Sequence, residues 1–276
     1  MSAAATGRRV QAPFGARLAP VINRDEYGPY IVLSCADGLG PRPQPGQFYM
    51  LMAAERWGGG EDERPYLPRA FSVLHAAVDG DELQFLIEDV GPGTKRLCEL
   101  RAGEMLSLVG PLGVGFEESR EQRRPVLVGG GVGIAPLAIL ADRLRMSATV
   151  LLGFRDAAHA LGAALLPGAR VATDDGSVGH RGLVTELLAA ELAADDHAEV
   201  YACGPPAMLE AVRALCHATE PATPAQLALE SGMACGFGAC FGCVINTRDG
   251  YVRLCVEGPV IDAARLETAL LPGTGR

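Results

Sequence analysis

Cys235, Cys240, Cys243 and Cys255 stand in the order C-x4-C-x2-C with a fourth cysteine further on, and Gly236, Gly238 and Gly242 are threaded among the first three. Thiolates are soft ligands, and this spacing is the plant-type pattern of a [2Fe-2S] site. The chemistry it implies is transfer of one electron at a time. The three glycines predict left-handed turns that let the chain wrap closely, with backbone N–H groups facing the sulfurs. A structural zinc site, a disulfide pair and four unrelated core thiols are the competing readings. Zinc sites more often show two C-x2-C knuckles, and this chain has one.

A second group of residues has the types and spacing to hold a dinucleotide. The apolar run Val126 to Val128 leads into Gly129, Gly130, Gly131, Val132, Gly133, Ile134, Ala135 and Pro136. Such glycines let a backbone approach a pyrophosphate at a helix start. The string departs from G-x-G-x-x-G in carrying Pro136 where the third glycine would stand, so a plain strand-to-helix turn is the alternative. Cys203, Gly204 and Pro205 follow a later strand, at the end where ligands of open α/β sheets lie. They read equally as a buried thiol and a helix cap. Asp175, in Thr173-Asp174-Asp175-Gly176-Ser177, either accepts ribose hydroxyls or closes an Asx turn. Further upstream, Arg69-Ala70-Phe71-Ser72 opens one strand and Gly93-Thr94 follows another. An arginine, a hydroxyl and a glycine turn are suited to a pyrophosphate and a flavin ring, although an arginine that opens a strand is usually a solvated charge.

The elements that must position these residues fall into three parts. Residues 12–118 alternate apolar and polar in short runs, at Tyr30 to Cys35, Gln47 to Met52, Phe71 to His75 and Glu82 to Glu88, which predicts an antiparallel barrel. Residues 122–220 alternate strand and helix patterns, with helices at Pro136 to Arg145, Leu183 to Leu192 and Pro206 to Ala218, which predicts a parallel α/β domain. Thr219 to Pro224 reads as a linker, and 221–276 as a small cysteine module. Trp57 to Glu63 is a Gly- and acid-rich loop.

The 276 residues, 49% hydrophobic, are enough for two domains and an appendage. A net charge of -9 gives no support to nucleic-acid binding. The longest apolar run, Val126 to Ala141, is broken by glycines and Pro136 and is a poor membrane span, and Met1 to Gln11 lacks the apolar core of a signal peptide. Eight cysteines in such a chain suit metal ligation in the reducing cytoplasm, with Cys35, Cys98 and Cys216 assigned to packing.

In their order, Arg69-Ala70-Phe71-Ser72, Gly93-Thr94, the glycine string and Cys203-Gly204-Pro205 with Met208 resemble the ferredoxin-NADP reductase superfamily from about Ala12 to Asp262. ESGMACGFGACFGCV at Glu230 to Val244 and LCVEGPV at Leu254 to Val260 narrow the likeness to the electron-transfer subunits of class B, NAD-dependent dihydroorotate dehydrogenases. The resemblance implies an FAD-binding barrel, a nicotinamide-binding α/β domain and a [2Fe-2S] module. It assigns Arg69, Ala70, Phe71, Ser72, Leu86, Ile87, Glu88, Gly93 and Thr94 to FAD and Cys235, Cys240, Cys243 and Cys255 to the cluster, which leaves the residues read above for a dinucleotide, Gly130, Gly131, Gly133, Pro136, Asp175, Cys203, Gly204 and Pro205, as the candidates for NAD. It also implies an FMN-containing catalytic subunit as partner, in a heterotetramer of two of each, with electrons passing from dihydroorotate to NAD+ in pyrimidine (UMP) biosynthesis. The cluster module is expected at the interface with that partner. The interval from Cys243 to Cys255 is shorter than in the family, which bears on cluster exposure. The reductase component of an oxygenase, and a hydrogenase- or sulfide-linked NAD(P) reductase subunit, would use the same parts.

Overall fold

A computed structural model describes residues 16–58, 65–78, 81–118, 122–144, 146–195 and 197–271. Residues 12–15 of the expected barrel, 59–63 of the Gly- and acid-rich loop, Arg145 and the tail beyond Leu271 lie outside the described residues.

Strands β1 (Arg17–Tyr27), β2 (Tyr30–Ala36), β3 (Phe48–Ala53), β4 (Arg69–Ala76), β5 (Glu82–Glu88) and β6 (Met105–Leu112) close into an antiparallel barrel in the order β1-β2-β5-β4-β3-β6, with helix α1 (Pro92–Cys98) between β5 and β6. Closure leaves no strand edge exposed. The alternation seen in the sequence decides which side chains fill it: Leu33, Tyr49, Val73, Leu83, Phe85 and Ile87 share the interior, and Tyr49 meets Phe85 edge to face at 5.5 Å between centroids.

The next part builds one sheet from β7 (Arg124–Gly130), α2 (Ile134–Ala141), β8 (Thr149–Phe154), α3 (Ala157–Ala160), β9 (Arg170–Thr173), β10 (His180–Arg181), α4 (Val184–Ala194), β11 (Ala198–Cys203) and α5 (Pro206–Ala218). Helix α2 begins two residues before Pro136 and ends at Ala141, earlier than the sequence pattern suggested. Proline costs no hydrogen bond there, because N–H groups in the first turn have no intrahelical acceptor.

The sheet also continues past residue 220. Strand β12 (Ala225–Ala228) pairs in parallel with β11, and β15 (Val260–Asp262) pairs antiparallel with β12, giving the order β10-β9-β8-β7-β11-β12-β15. Thr219 to Pro224 is correspondingly tied down: Thr223 is buried, and its N–H donates to the Thr219 hydroxyl at 2.8 Å. The cysteines therefore lie on an excursion between two strands of the sheet, which contains the hairpin β13 (Val244–Thr247) and β14 (Gly250–Arg253).

Two apolar cores join the parts. Tyr30, Val32, Leu74 and Leu86 on the outside of the barrel pack with Ile134, Leu137 and Tyr201 of the α/β unit. On the other side, Phe48, Met50 and Leu112 of the barrel share a core with Cys243, Ile245, Leu254 and Cys255.

Candidate functional site

The four cysteines stand as two pairs. Cys243 and Cys255 are buried, with their sulfurs 3.2 Å apart. Cys235 is half-buried and accepts the Cys240 N–H at 3.4 Å, while Cys240 is exposed and accepts the Gly242 N–H at 3.4 Å. Burial pushes the Cys235 thiol up, but the N–H groups of Cys240, Phe237 and Ala239 outweigh it and bring the pKa down to about 6. Burial beside Cys243 pushes Cys255 up to about 12.

Among the described residues no three His, Cys, Asp or Glu side chains are grouped closely enough to hold one metal ion. Structural zinc needs four ligands about one centre, whereas a [2Fe-2S] cluster takes two thiolates on each of two irons. Two pairs of thiols with N–H groups turned toward the outer pair fit the cluster.

The loop's turns depart from expectation at one point. Gly236 (φ 77°) and Gly238 (φ 88°) are left-handed, but the third such turn falls on Phe241 (φ 58°) and not on Gly242. The interval between Cys243 and Cys255 is filled by the hairpin of β13 and β14, whose turn is the two residues Arg248 and Asp249. It leaves both thiols buried.

On the barrel, Arg69 and Gly93 are brought together across 24 residues of sequence: a Cβ built on Gly93 would lie 2.6 Å from Arg69 Nε. The Arg69 guanidinium also donates to the Leu67 carbonyl at 2.6 Å and sits 5.9 Å from the centre of the Trp57 ring, whose buried Nε1 has no partner among the described residues. A cation and an unsatisfied donor side by side suit an anionic ligand such as a pyrophosphate. Thr94 is committed to its own turn, accepting from Val90 N–H and donating to Gly91 O, each at 2.9 Å. Ala70 is exposed, and Phe71 and Ser72 are half-buried. Leu86 faces the α/β unit and Ile87 points into the barrel, so of the three FAD candidates on β5 Glu88 is the polar one. Glu88 accepts from Arg155 at 2.7 Å.

The nicotinamide candidates converge where the strand order reverses. β8 and β9 extend the sheet from β7 on one side and β11 on the other, and Cys203 is in register with Gly129. This is the switch point at which such sheets bind ligands. A Cβ on Gly133 would lie 2.5 Å from the Cys203 carbonyl carbon and closer still to its oxygen, and one on Gly130 would lie 2.8 Å from both Pro205 Cδ and Met208 Sδ. Gly131 (φ 55°) is open, and Gly204 packs against Gly130. Pro136 is buried in α2.

Cys203 contributes backbone to this turn. Its thiol is buried among apolar side chains, and burial together with the nearby Glu230 charge raises its pKa. Asp175, at the end of β9, is exposed and accepts from the Ser177 N–H at 2.9 Å and hydroxyl at 2.6 Å, the Asx turn anticipated as its alternative role.

Glu230 was not singled out in the sequence. It follows β12 two residues after Ala228, which is in register with Cys203. Solvent reaches the side chain, yet protein crowds the carboxylate enough to raise its pKa. Its neighbour Ser231 has a buried hydroxyl without a partner among the described residues. Only the pairing of β12 with β11 places these two residues beside the glycine turns.

Comparison with known proteins agrees with this arrangement. Residues 230–267 match the model of the iron-sulfur cluster binding domain of dihydroorotate dehydrogenase B. The dihydroorotate dehydrogenase B (NAD(+)) electron transfer subunit of Clostridium acetobutylicum is 34% identical over 226 residues, covering 81% of this chain and 86% of that protein. The subunit of the same name from Geobacillus kaustophilus is 36% identical over 234 residues, covering 81% and 86%. Among solved structures, an NADH-dependent reduced ferredoxin-NADP oxidoreductase superposes with a TM-score of 0.77 at 22% identity, over 93% of this chain and 92% of that one. A ferredoxin NADP+ reductase from Neisseria gonorrhoeae gives a TM-score of 0.57 at 19% identity, over 72% and 89%. The structural likeness carries the fold, and the sequence likeness, running through barrel, sheet and cysteine loop alike, places the chain in the family of dihydroorotate dehydrogenase B electron transfer subunits.

Proposed function

We propose that this chain carries electrons between a dihydroorotate-oxidising catalytic subunit and NAD+, by way of a [2Fe-2S] cluster and FAD, in pyrimidine biosynthesis. One observation supports the route above the others. The cysteine loop lies directly on the barrel strand behind Arg69-Ala70-Phe71-Ser72: a Cβ on Gly236 would lie 2.5 Å from Met50 Cγ, and Met50 pairs with Ala70. A cluster held by Cys235, Cys240, Cys243 and Cys255 is thereby adjacent to the proposed flavin strand. When bound, FAD supplies exchange between two-electron hydride chemistry and one-electron transfer.

In this reading Arg69 neutralises the FAD pyrophosphate, and Gly93 keeps the space beside the guanidinium free of a side chain. Ala70, Phe71 and Ser72 line the ring along β4. Leu86 and Ile87 offer backbone, and Glu88 fixes Arg155 at the domain boundary. Gly130, Gly131 and Gly133 bring backbone N–H groups toward the NAD pyrophosphate, Cys203-Gly204-Pro205 forms the opposite wall, Pro136 lies in the first turn of the helix and Asp175 addresses a ribose. The barrel, the α/β domain and the cysteine module correspond to about residues 12–118, 122–220 and 221–276, with β12 and β15 contributed to the sheet by the last.

The partner is read as an FMN-containing catalytic subunit, in an assembly of two of each. Phe237 and Phe241, 59% and 62% exposed, flank the exposed Cys240 along the chain, and Tyr251, 81% exposed, lines a surface hollow with Phe241, so these rings supply an apolar face for the partner. All eight cysteines are free thiols, which suits the cytoplasm, and no described helix is long and apolar enough to cross a membrane. Mixing the chain with an FMN-containing dihydroorotate-oxidising subunit should yield dihydroorotate-dependent NAD+ reduction. A subunit that binds and oxidises dihydroorotate but passes no electrons to NAD+ through this chain would refute the proposal.

A further inference from the structure

Arg253 touches each of the chain segments that carry the four cysteines. It is the last residue of β14, two positions before Cys255 and opposite Val244, the neighbour of Cys243. Its Nη1 donates to the carbonyl of Gly238, between Cys235 and Cys240, at 3.3 Å. Its guanidinium lies 5.5 Å from the ring centre of Phe241, the left-handed residue between Cys240 and Gly242. A positive charge is thus fixed at the rim of the thiol pairs.

Glu257 opposes that charge. Its carboxylate accepts from Arg253 Nη2 and from the Arg253 backbone N–H, each at 2.8 Å, and from Nε at 3.3 Å. A salt bridge that only braced a surface hairpin would be worth little, with both side chains 31% exposed. This one is placed where its two charges act on the thiolates.

We infer that Arg253 and Glu257 form an opposed pair that sets the reduction potential of the cluster, the arginine raising it and the glutamate restraining that rise. The inference rests on the cluster reading of Cys235, Cys240, Cys243 and Cys255. The physical reason is that a cluster gains negative charge on reduction, so a nearby cation stabilises the reduced form more than the oxidised form, and net charge and hydrogen bonding are among the determinants of cluster potential. The charges sit at a partly exposed rim, so their effect is screened and far below its value in a dry interior.

The test is a spectroelectrochemical titration of the full, cluster-loaded chain, followed by the electron paramagnetic resonance of the reduced cluster, with iron measured on the same samples. R253Q should favour the oxidised form about tenfold at the wild-type midpoint, which is about 59 mV lower for a one-electron couple. E257Q should shift the midpoint the other way. R253K, which keeps the charge, should stay close to wild type.

Shifts of R253Q and E257Q in the same direction, or no shift in either with iron retained, would overturn the inference while leaving the cluster reading intact. If R253Q loses iron, the sign of the E257Q shift decides the matter. A wild-type chain that takes up no iron would overturn the cluster reading itself, and this inference with it.

Discussion

Gly133→Ala isolates the joint between the glycine string and the Cys203 turn. The new methyl would lie 2.5 Å from the Cys203 carbonyl carbon and 2.7 Å from Gly204 N, where ordinary contact begins at 3.4 Å. Relief demands a backbone displacement of the better part of an ångström. No flexible side chain is available to give way. Cys203 is paired on both sides, with Gly129 and with Ala228, so moving it strains two parallel ladders in the sheet. Overpacking costs about 1–3 kcal/mol and each weakened ladder bond about 1 kcal/mol, so the expected loss is about 3 kcal/mol. Gly131→Ala is the comparison: its added Cβ meets nothing nearer than 3.7 Å, and its cost is the left-handed conformation alone, about 1–2 kcal/mol. Urea unfolding of both variants, with NADH-ferricyanide activity and flavin content measured in parallel, gives the readout. Gly133→Ala should be the less stable of the two and should raise KM for NADH about tenfold while flavin content holds. A Gly133→Ala protein as stable as wild type with an unchanged KM would refute the close packing and its proposed role.

Two further predictions follow from other parts of the molecule. Glu210 accepts from both Arg213 Nε and Nη2, and from the Thr268 hydroxyl and Ala269 N–H of the tail; Arg213 leads in holding its pKa at about 2, below the ordinary 4.5. A depressed carboxylate stabilises above its unfolded pKa, so Glu210→Gln should cost about 2 kcal/mol at pH 7, and that difference should shrink as pH falls from about 4.5 toward 2 in urea unfolding at each pH. Cys240→Ser should lower iron from about two per chain to under one and abolish the cluster's visible absorption, with FAD retained; unchanged iron would remove Cys240 from the ligand set.

The local signals in the sequence were those with a strict period or spacing. Alternation announced the strand at Glu82 to Glu88, which is β5, and the helical pattern over Pro206 to Ala218 is α5. What the sequence hid was long-range. Nothing near Gly93 announces that it abuts Arg69, because that contact depends on barrel closure. β12 and β15 are four and three residues long, too short to show periodicity, and they pair only because the strand β11 is already in place. Missing them hid that the sheet runs on past residue 220, and hid Glu230, whose position beside Cys203 follows from the β11 to β12 register. The left-handed Phe241 was also hidden, since glycine next to it was the residue expected to take that conformation.

Electrons from dihydroorotate are expected to reach this chain through its cysteine module. The most direct measurement is anaerobic addition of dihydroorotate to the reconstituted complex without NAD+, following the electron paramagnetic resonance of the cluster and the absorbance of the FAD in this chain. Both should be reduced, and Cys240→Ser should leave this chain's FAD oxidised. Reduction confined to the partner's flavin in the wild-type complex, or undiminished FAD reduction in Cys240→Ser, would contradict it.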